Sequence, residues 1–227
     1  MNESSRAQRG GLDDLDGSDD WVGDGVETAD RDAVGVDFSD QVFAGQRWSL
    51  RRFVDCQFVD ADLRGLITER CEFIECDFSR ADLGDSVHRA TAIRACAFVR
   101  STLSGAKLHG CSLLGSHFTD CRLRPLTVDD SDLSLVSLGG IDLRDTDLGG
   151  LRFREASLVA ADLRGASLRG SDLSGARLSD ARLEGADLRE ATVEAGALLG
   201  AKIAGARVDL ATALDYARAH GLRVDTG

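Results

Sequence analysis

Six cysteines are the first candidates for chemistry in this sequence, because a thiolate can ligate zinc or take part in redox reactions. No pair has CxxC spacing, and each cysteine stands two residues before a bulky hydrophobic residue, in a slot that elsewhere often holds Ala, Ser or Thr. We therefore expect free thiols that fill a core, with zinc binding or redox sensing as the alternative. The six are Cys56, Cys71, Cys76, Cys96, Cys111 and Cys121.

His88 is the second candidate, since a histidine can serve as a general base or a metal ligand. It occupies a position that is hydrophobic in nearly all neighbouring repeats, and Thr68 is the other polar residue at such a position. No carboxylate or nucleophile lies at a spacing that would assist it. The sequence also has no phosphate-binding GxxxxGK, no GxSxG and no metal signature. It therefore predicts no catalytic residue, no metal and no cofactor.

A five-residue repeat must position all of these residues. A hydrophobic side chain recurs at every fifth position from Phe38 to Val208, which gives 35 consecutive units, and only those centred on Thr68 and His88 lack it. The frequent unit is A(D/S/R)LxG, and 13 glycines stand two residues after a centre.

This period fits neither a helix nor a single strand. Five residues rotate an α-helix by about 140°, so the leucines would spread around its axis. In one continuous strand an odd step would send successive centres to opposite faces. The chain must therefore turn once per unit, with Gly at permissive corners, and bury its hydrophobic face by stacking.

These residues resemble the pentapeptide-repeat family over essentially 36–211. The resemblance implies an all-β fold, a right-handed quadrilateral β-helix with four repeats per 20-residue coil. At about 4.8 Å per stacked strand, nearly nine coils make a rod of roughly 40 Å. Thr68 would then stack on His88 as a hydrogen-bonded interior pair, with Trp48 one coil earlier, and Pro125 would lie at a corner, with a local bend as the alternative.

A closer resemblance, over roughly 48–227, is to the quinolone-resistance branch of that family. It implies a DNA-shaped homodimer that binds DNA gyrase, without direct binding of nucleic acid. No repeat is interrupted by an inserted loop, in contrast to some members of that branch. The resemblance is carried by TERCEFIECDFS (68–79), HRATAIRACAF (88–98), CRLRPLTVDD (121–130), LGGIDLRDTDL (138–148) and ARAHGLRV (217–224).

Charge is distributed unevenly along the chain. The net charge is −12, from 39 Asp and Glu against 27 Lys and Arg, which disfavours general attraction to nucleic-acid phosphates. Residues 1–35 hold ten acids and three bases. We expect this acidic leader to be disordered, with a partner-binding segment around Trp21 and Val22 as the alternative. No signal peptide or membrane span is evident, so the expected location is the cytoplasm.

With four repeats per coil, every twentieth residue shares a face, and charge can be summed by face. Over residues 36–215 the first face, centred on Phe38 and Phe58, sums to −3, as does the fourth, centred on Phe53 and Phe73. The second and third faces, which begin at Phe43 and Trp48, each sum to zero. The first and fourth faces adjoin, which predicts one acidic side.

That acidic side is the predicted binding surface. B-DNA carries about 24 charges over 40 Å, so a net −6 cannot reproduce it and mimicry must depend on local acids. The alternative is that these acids are solubilising turn residues. The predicted partner-binding acids are Asp60, Glu72, Glu75, Asp77, Asp82, Asp85, Asp132, Asp172 and Glu194.

After Val208 the pattern changes to that of a short amphipathic helix, with Asp209 as its predicted N-cap and Gly221 as its predicted C′ residue. The expected divisions are a leader (1–35), a β-helix (36–208) and a helical cap (209–227). A cap is needed because a solenoid end exposes strand edges and core. The resemblance implies that the cap forms the dimer interface, through Leu210, Leu214, Ala217 and Leu222.

Two functions other than gyrase binding remain open from the sequence. The family is broad, so a scaffold or self-resistance factor with another protein partner is the main alternative. An enzyme is the least favoured class, because a convex rod offers no obvious pocket with convergent polar groups.

Overall fold

The structure, a computed structural model, describes residues 32–225. Their chain winds into a four-sided parallel β-helix that ends in two short helices. The predictions for residues 1–31, which include a disordered leader and a binding segment around Trp21, lie outside the described residues.

Eleven three-residue strands mark the faces of the coils between residues 32 and 129. They are β1 (Asp32–Val34), β2 (Arg47–Ser49), β3 (Arg52–Val54), β4 (Ile67–Glu69), β5 (Glu72–Ile74), β6 (Val87–Arg89), β7 (Ala92–Arg94), β8 (Ala97–Val99), β9 (Lys107–His109), β10 (His117–Thr119) and β11 (Thr127–Asp129). They form parallel sheets in the orders β1-β3-β5-β7, β10-β8 and β11-β9-β6-β4-β2.

The pairing register is 20 residues throughout. On the third face Trp48 pairs with Thr68, and Thr68 with His88. Single bridges extend this register from Asp37↔Gln57 to Asp187↔Arg207. Because each residue lies above the one twenty positions later, the prediction of four repeats per coil is confirmed.

Each corner falls two residues after a centre, at the position where the sequence often has Gly. Gly165 has φ 66°, in the left-handed region where a Cβ is disfavoured. Among residues 32–225, nineteen non-glycine residues have positive φ as well, including Leu50 at 55° and Ala160 at 57°. The corner geometry therefore comes from the stacked coil, which imposes it on whatever residue falls there.

The core is one continuous column of side chains on the rod axis. The centre residues fill it, and the residue two before each centre packs beside them. On the first face Phe58, Phe78, Phe98 and Phe118 stack with ring centroids 4.6–4.9 Å apart. Leu138 continues that column one coil later.

The C-terminal end departs from the uniform repeat. Residues Ala195–Leu198 form a helical turn, α1, although the five-residue sequence pattern continues through them. The prediction of uninterrupted corners up to Val208 is wrong at this point. The chain beyond residue 209 is helical, so this last coil has no complete coil beneath it to hold its corners.

Helix α2 spans Leu210–Ala219. Asp209 is its N-cap by position but makes no side-chain cap bond; its carboxylate accepts from the Glu190 N–H instead. At the other end Gly221 has φ 84°, its N–H bonds the Arg218 carbonyl, and the Leu222 N–H bonds the Ala217 carbonyl. This Schellman arrangement confirms Gly221 as the C′ residue.

Candidate functional site

The interior histidine is fully hydrogen-bonded. His88 Nδ1 lies 2.7 Å from Thr68 Oγ1, and its Nε2 lies 2.9 Å from Ser86 Oγ. Thr68 Oγ1 in turn lies 2.9 Å from Thr91 Oγ1, which donates to the Arg89 carbonyl. One neutral tautomer, protonated on Nδ1, satisfies the whole chain of bonds. Burial lowers the pKa of His88 to about 4. The expected interior pair is confirmed, and both ring nitrogens are occupied by structural bonds.

The cysteines are free and line the core, as expected. Each thiol donates to the backbone carbonyl 23 residues earlier; examples are Cys76 to Phe53 at 3.5 Å and Cys111 to His88 at 3.3 Å. Burial raises the pKa of Cys71, Cys111 and Cys121, which disfavours the reactive thiolate.

Neither an axial cavity nor a surface cluster of possible metal ligands in the described residues has the features of a binding site. A cavity on the rod axis, between Leu103 and Phe153, has only hydrophobic side chains around it. On the surface, His109, Asp129 and Asp130 place their ligand atoms within 4.8 Å of one another. All three are exposed, and the His109 ring already bonds Asp129. Water competes freely there, so no metal role is assigned to them.

The predicted acids do not all lie on one side. The fourth face holds Glu72, Asp132, Asp172 and Glu194. The first face holds Asp77, and Glu75 lies at the corner between these two faces. Asp60 lies at the corner between the first and second faces. Asp82 and Asp85 belong to the second face, whose charges sum to zero, so their assignment to the acidic side was wrong.

Arginines neutralise five of the nine acids. Asp60 bonds Arg80 at 2.5 Å, which holds the pKa of that carboxyl below its usual value. The other four ion pairs have N–O distances of 3.3–3.9 Å. They are Glu72 with Arg52, Asp82 with Arg64, Asp132 with Arg152 and Asp172 with Arg154. These pairs could not be recognised from the sequence, because each joins residues 18 to 20 positions apart.

An unpaired acidic edge remains at the corner of the fourth and first faces. It consists of Asp37, Asp55, Glu75 and Asp77, and among residues 32–225 no cationic group lies within 4 Å of any of them. Asp55 and Glu75 occupy successive corners with φ 52° and 55°. Asp77 accepts from the Ser79 N–H at 2.8 Å. Sequence reasoning named Glu75 and Asp77 but missed Asp37 and Asp55, although all four fall in the faces that it found acidic.

The cap presents a hydrophobic surface to solvent. Leu210 is 75% exposed and Leu222 is 62% exposed, while Leu214 and Ala217 are half-buried. Tyr216, on the same helix, packs against the core. None of the helices in residues 32–225 has the length and hydrophobicity needed to cross a bilayer.

Known proteins share this architecture. The family model for pentapeptide repeats matches residues 55–86, 93–125, 131–170 and 156–194. The pentapeptide repeat protein MfpA of Mycobacterium tuberculosis is 52% identical over 95 residues, which is 40% of this chain and 52% of that protein. The match thus spans about half the length of this curated relative.

Solved structures confirm the fold class. Two trypsin-treated variants of QnrB1, a plasmid-mediated fluoroquinolone resistance protein, superpose with TM-scores of 0.65 and 0.64 at 26% and 25% identity. Each comparison covers 86% of this chain and 97% of the other. The predicted right-handed quadrilateral β-helix with a short C-terminal helix is therefore present, and the chain belongs to the pentapeptide-repeat family.

Proposed function

We propose that this protein is a quinolone-resistance factor that binds DNA gyrase as a partial mimic of DNA and has no catalytic role. The observation that carries the proposal is its likeness to QnrB1 across nearly the whole described rod, together with the MfpA match. A resistance protein without catalytic groups cannot modify the drug, so binding to the drug's target is the simplest way for it to act, and we take DNA gyrase as that target.

The acidic edge is the part of the rod best suited to that contact. Among the described residues, Asp37, Asp55, Glu75 and Asp77 are unpaired carboxylates that span three coils. Asp55 and Glu75 lie one coil apart, about 5 Å along the axis, and Asp37 and Asp77 lie two coils apart. A protein groove that binds the DNA backbone offers complementary positive charge, which accelerates association and fixes orientation. The ion-paired acids contribute little net potential, because an arginine lies beside each.

A charge-reversal pair tests this assignment. We expect Glu75→Lys with Asp77→Lys to raise the concentration that changes gyrase supercoiling by about tenfold or more, since one lost charge complementarity is worth about 1 kcal/mol. Protection against quinolone-stabilised DNA cleavage would weaken in parallel. Lysine is tolerable at such corners, because Arg80 and Arg100 already occupy them with positive φ.

The matched control is Asp120→Lys with Asp147→Lys. Asp120 is another corner residue, at φ 54°, and Asp147 accepts an N–H two residues on, as Asp77 does. This variant changes the net charge equally, away from the acidic edge. An equal loss of the effect on gyrase in both variants would mean that net charge matters and the position of the acidic edge does not. If the unaltered protein has no effect on gyrase, the alternative of a scaffold with another protein partner is favoured.

The cap supports homodimerisation through Leu210, Leu214, Ala217 and Leu222, because its two most exposed leucines lie on one short segment. We expect Leu210→Glu with Leu222→Glu to convert a dimer to a monomer in analytical ultracentrifugation. Leu199→Glu, at a leucine that is 42% exposed outside the cap, is the control and leaves the dimer intact.

A further inference from the structure

A basic patch interrupts the third face of this acidic protein. It consists of Arg47, Arg51, Arg70, Arg89 and Lys107, which lie on four successive coils. Among the residues that the structure describes, no carboxylate lies within 4 Å of any of these five cations. Elsewhere the rod pairs its arginines closely, as in Arg64 with Asp62 at 2.6 Å.

The patch is also accessible. Arg47, Arg70, Arg89 and Lys107 are exposed, and Arg51 is half-buried with its guanidinium about 5 Å from the ring centroids of Trp48 and Phe53. Glu69 is the one acid among the third-face units from 46 to 110, so those units together with Arg51 carry a net charge of +4. Such a cluster repels itself unless an anionic group lies against it.

The same chain contains a suitable anion. Residues 10–30 hold eight Asp and Glu and no Lys or Arg. They precede β1 in the chain, and β1 opens the fourth face in the first coil, next to the third face. Lys107 lies about four coils below β1, or roughly 19 Å along the axis. The eight Cα-to-Cα steps from Asp24 to Asp32 can span about 28 Å, so Asp24 and its neighbours can reach every residue of the patch.

We propose that the acidic segment 10–30 binds the third-face basic patch of its own chain. The contact neutralises the basic patch and leaves the rod acidic or neutral on every face. It is held by charge attraction between an extended acidic segment and a row of guanidinium groups, so it weakens as salt screens the charges. This contact is independent of gyrase binding and is tested without gyrase.

The lysines provide an internal control, because Lys107 and Lys202 are the two lysines in the chain. Lys107 belongs to the patch, whereas Lys202 lies on the second face at the far end. We expect zero-length carbodiimide coupling of the full chain to join acids of segment 10–30 to Lys107 and not to Lys202. Mass spectrometry reads the joined peptides, and 0.5 M salt reduces their yield by about fivefold or more.

A charge-matched pair of variants separates the patch from net charge. The first variant combines Arg47→Gln, Arg70→Gln and Arg89→Gln and keeps Lys107 as the reporter. It should abolish the coupling of Lys107 to segment 10–30. Arg100→Gln, Arg122→Gln and Arg177→Gln remove three exposed, unpaired cations off the patch and should leave it unchanged. In ¹⁹F NMR of fluorotryptophan-labelled protein, the Trp21 resonance should shift in the first variant and not in the second.

Three outcomes would overturn the proposal. Equal coupling to Lys107 and Lys202 means that the segment has no preferred site. If labelled and unlabelled protein are mixed and Lys107 couples solely to segment 10–30 of a different chain, a second copy of the protein covers the basic patch. Protection of Lys107 by duplex DNA, with no coupling to segment 10–30 in its absence, assigns the patch to nucleic-acid phosphate.

Discussion

The two halves of the β-helix close their coils with different chemistry. In the N-terminal half, residues 32–130, many faces are three-residue strands, and aromatic rings fill the axis. In the C-terminal half, residues 131–193, tight turns close the corners, as where the Ala161 N–H bonds the Leu158 carbonyl, and leucine fills the axis. Both halves keep the same 20-residue register.

The cysteines follow from this difference. A tight turn satisfies the carbonyl of the centre residue with a backbone N–H three residues later. Strand-type units lack that bond, and in seven of the eleven described strands a thiol or hydroxyl 23 residues later donates to the carbonyl of the central residue instead, as Cys96 does to Phe73 and Ser116 to Ile93. Where the turns are tight, alanine suffices in the same slot. The small polar core residues therefore replace missing backbone bonds.

The largest expected effect on stability comes from a substitution that interrupts the aromatic column. Phe98 lies between Phe78 and Phe118, with centroids 4.9 and 4.6 Å away, so Phe98→Ala should lower the free energy of unfolding by about 3–5 kcal/mol. Phe98→Leu, which copies the C-terminal half, should cost about 1.5 kcal/mol or less. Chemical denaturation measures both. Equal losses would mean that ring stacking, and not filled volume, holds this half together.

The next expected effect is a pH dependence of stability that comes from His88, in the N-terminal half. The pKa of His88 is lowered from 6.5 to about 4 in the folded state, so the unfolded chain binds the proton more readily. Its contribution to stability is complete above pH 6.5 and is lost as the pH falls from 6.5 to 4, a change of about 3 kcal/mol.

The double substitution Thr68→Val with His88→Leu removes the titrating group and its main partner. Position 88 then holds leucine, the residue found at position 108 in the next coil. We expect the unfolding free energy of this variant to fall less between pH 6.5 and 4 than that of the unaltered protein. Identical pH profiles would contradict the assignment and leave carboxylates such as Asp142, whose pKa is lowered by its bond to Arg144, as the cause of acid sensitivity.

A smaller effect tests the donor role of the thiols. Cys96→Ala leaves the Phe73 carbonyl without its side-chain donor and should cost about 1 kcal/mol, whereas Cys96→Ser restores a hydroxyl donor. Thermal unfolding compares the two. If alanine proves as stable as serine, the bond adds nothing and the slot requires small volume alone.

The smallest expected effect on stability concerns the left-handed corner residues, which both halves of the β-helix contain. Ala160 has φ 57° at an exposed corner, so Ala160→Gly should stabilise the protein by about 0.5–1 kcal/mol. Gly140, one coil earlier at φ 69°, is the reverse test, and Gly140→Ala should cost a similar amount. Ala90→Gly, at φ 47° in the N-terminal half, should behave as Ala160→Gly does. A difference between the halves would show that corner strain is not uniform.

Much of the fold could be read from the sequence because the repeat is local and regular. A five-residue hydrophobic period excludes helix and continuous strand, so the chain must turn once per unit and stack, and the small core cysteines follow. The Thr68–His88 pair also needed four units per coil, which the resemblance to the pentapeptide-repeat family implied. The helical turn α1 did not, because the sequence there keeps the period. Its geometry changes because the coils below it run out.

The candidate site was less predictable. The sequence placed Glu75 and Asp77 on the acidic side, but it could not tell them from Asp132 or Asp172, whose arginine partners lie one coil away. Ion pairing between coils depends on the lateral position of each side chain, which periodicity does not specify.

The sequence by itself determined the repeat and the identity of the core, because these depend on which residues are hydrophobic and how they are spaced. Tertiary structure alone decided which charges remain unpaired, and therefore where the acidic edge and the basic patch lie. The physical reason is that charge neutralisation acts over a few ångströms in space, between residues that the chain separates by twenty positions.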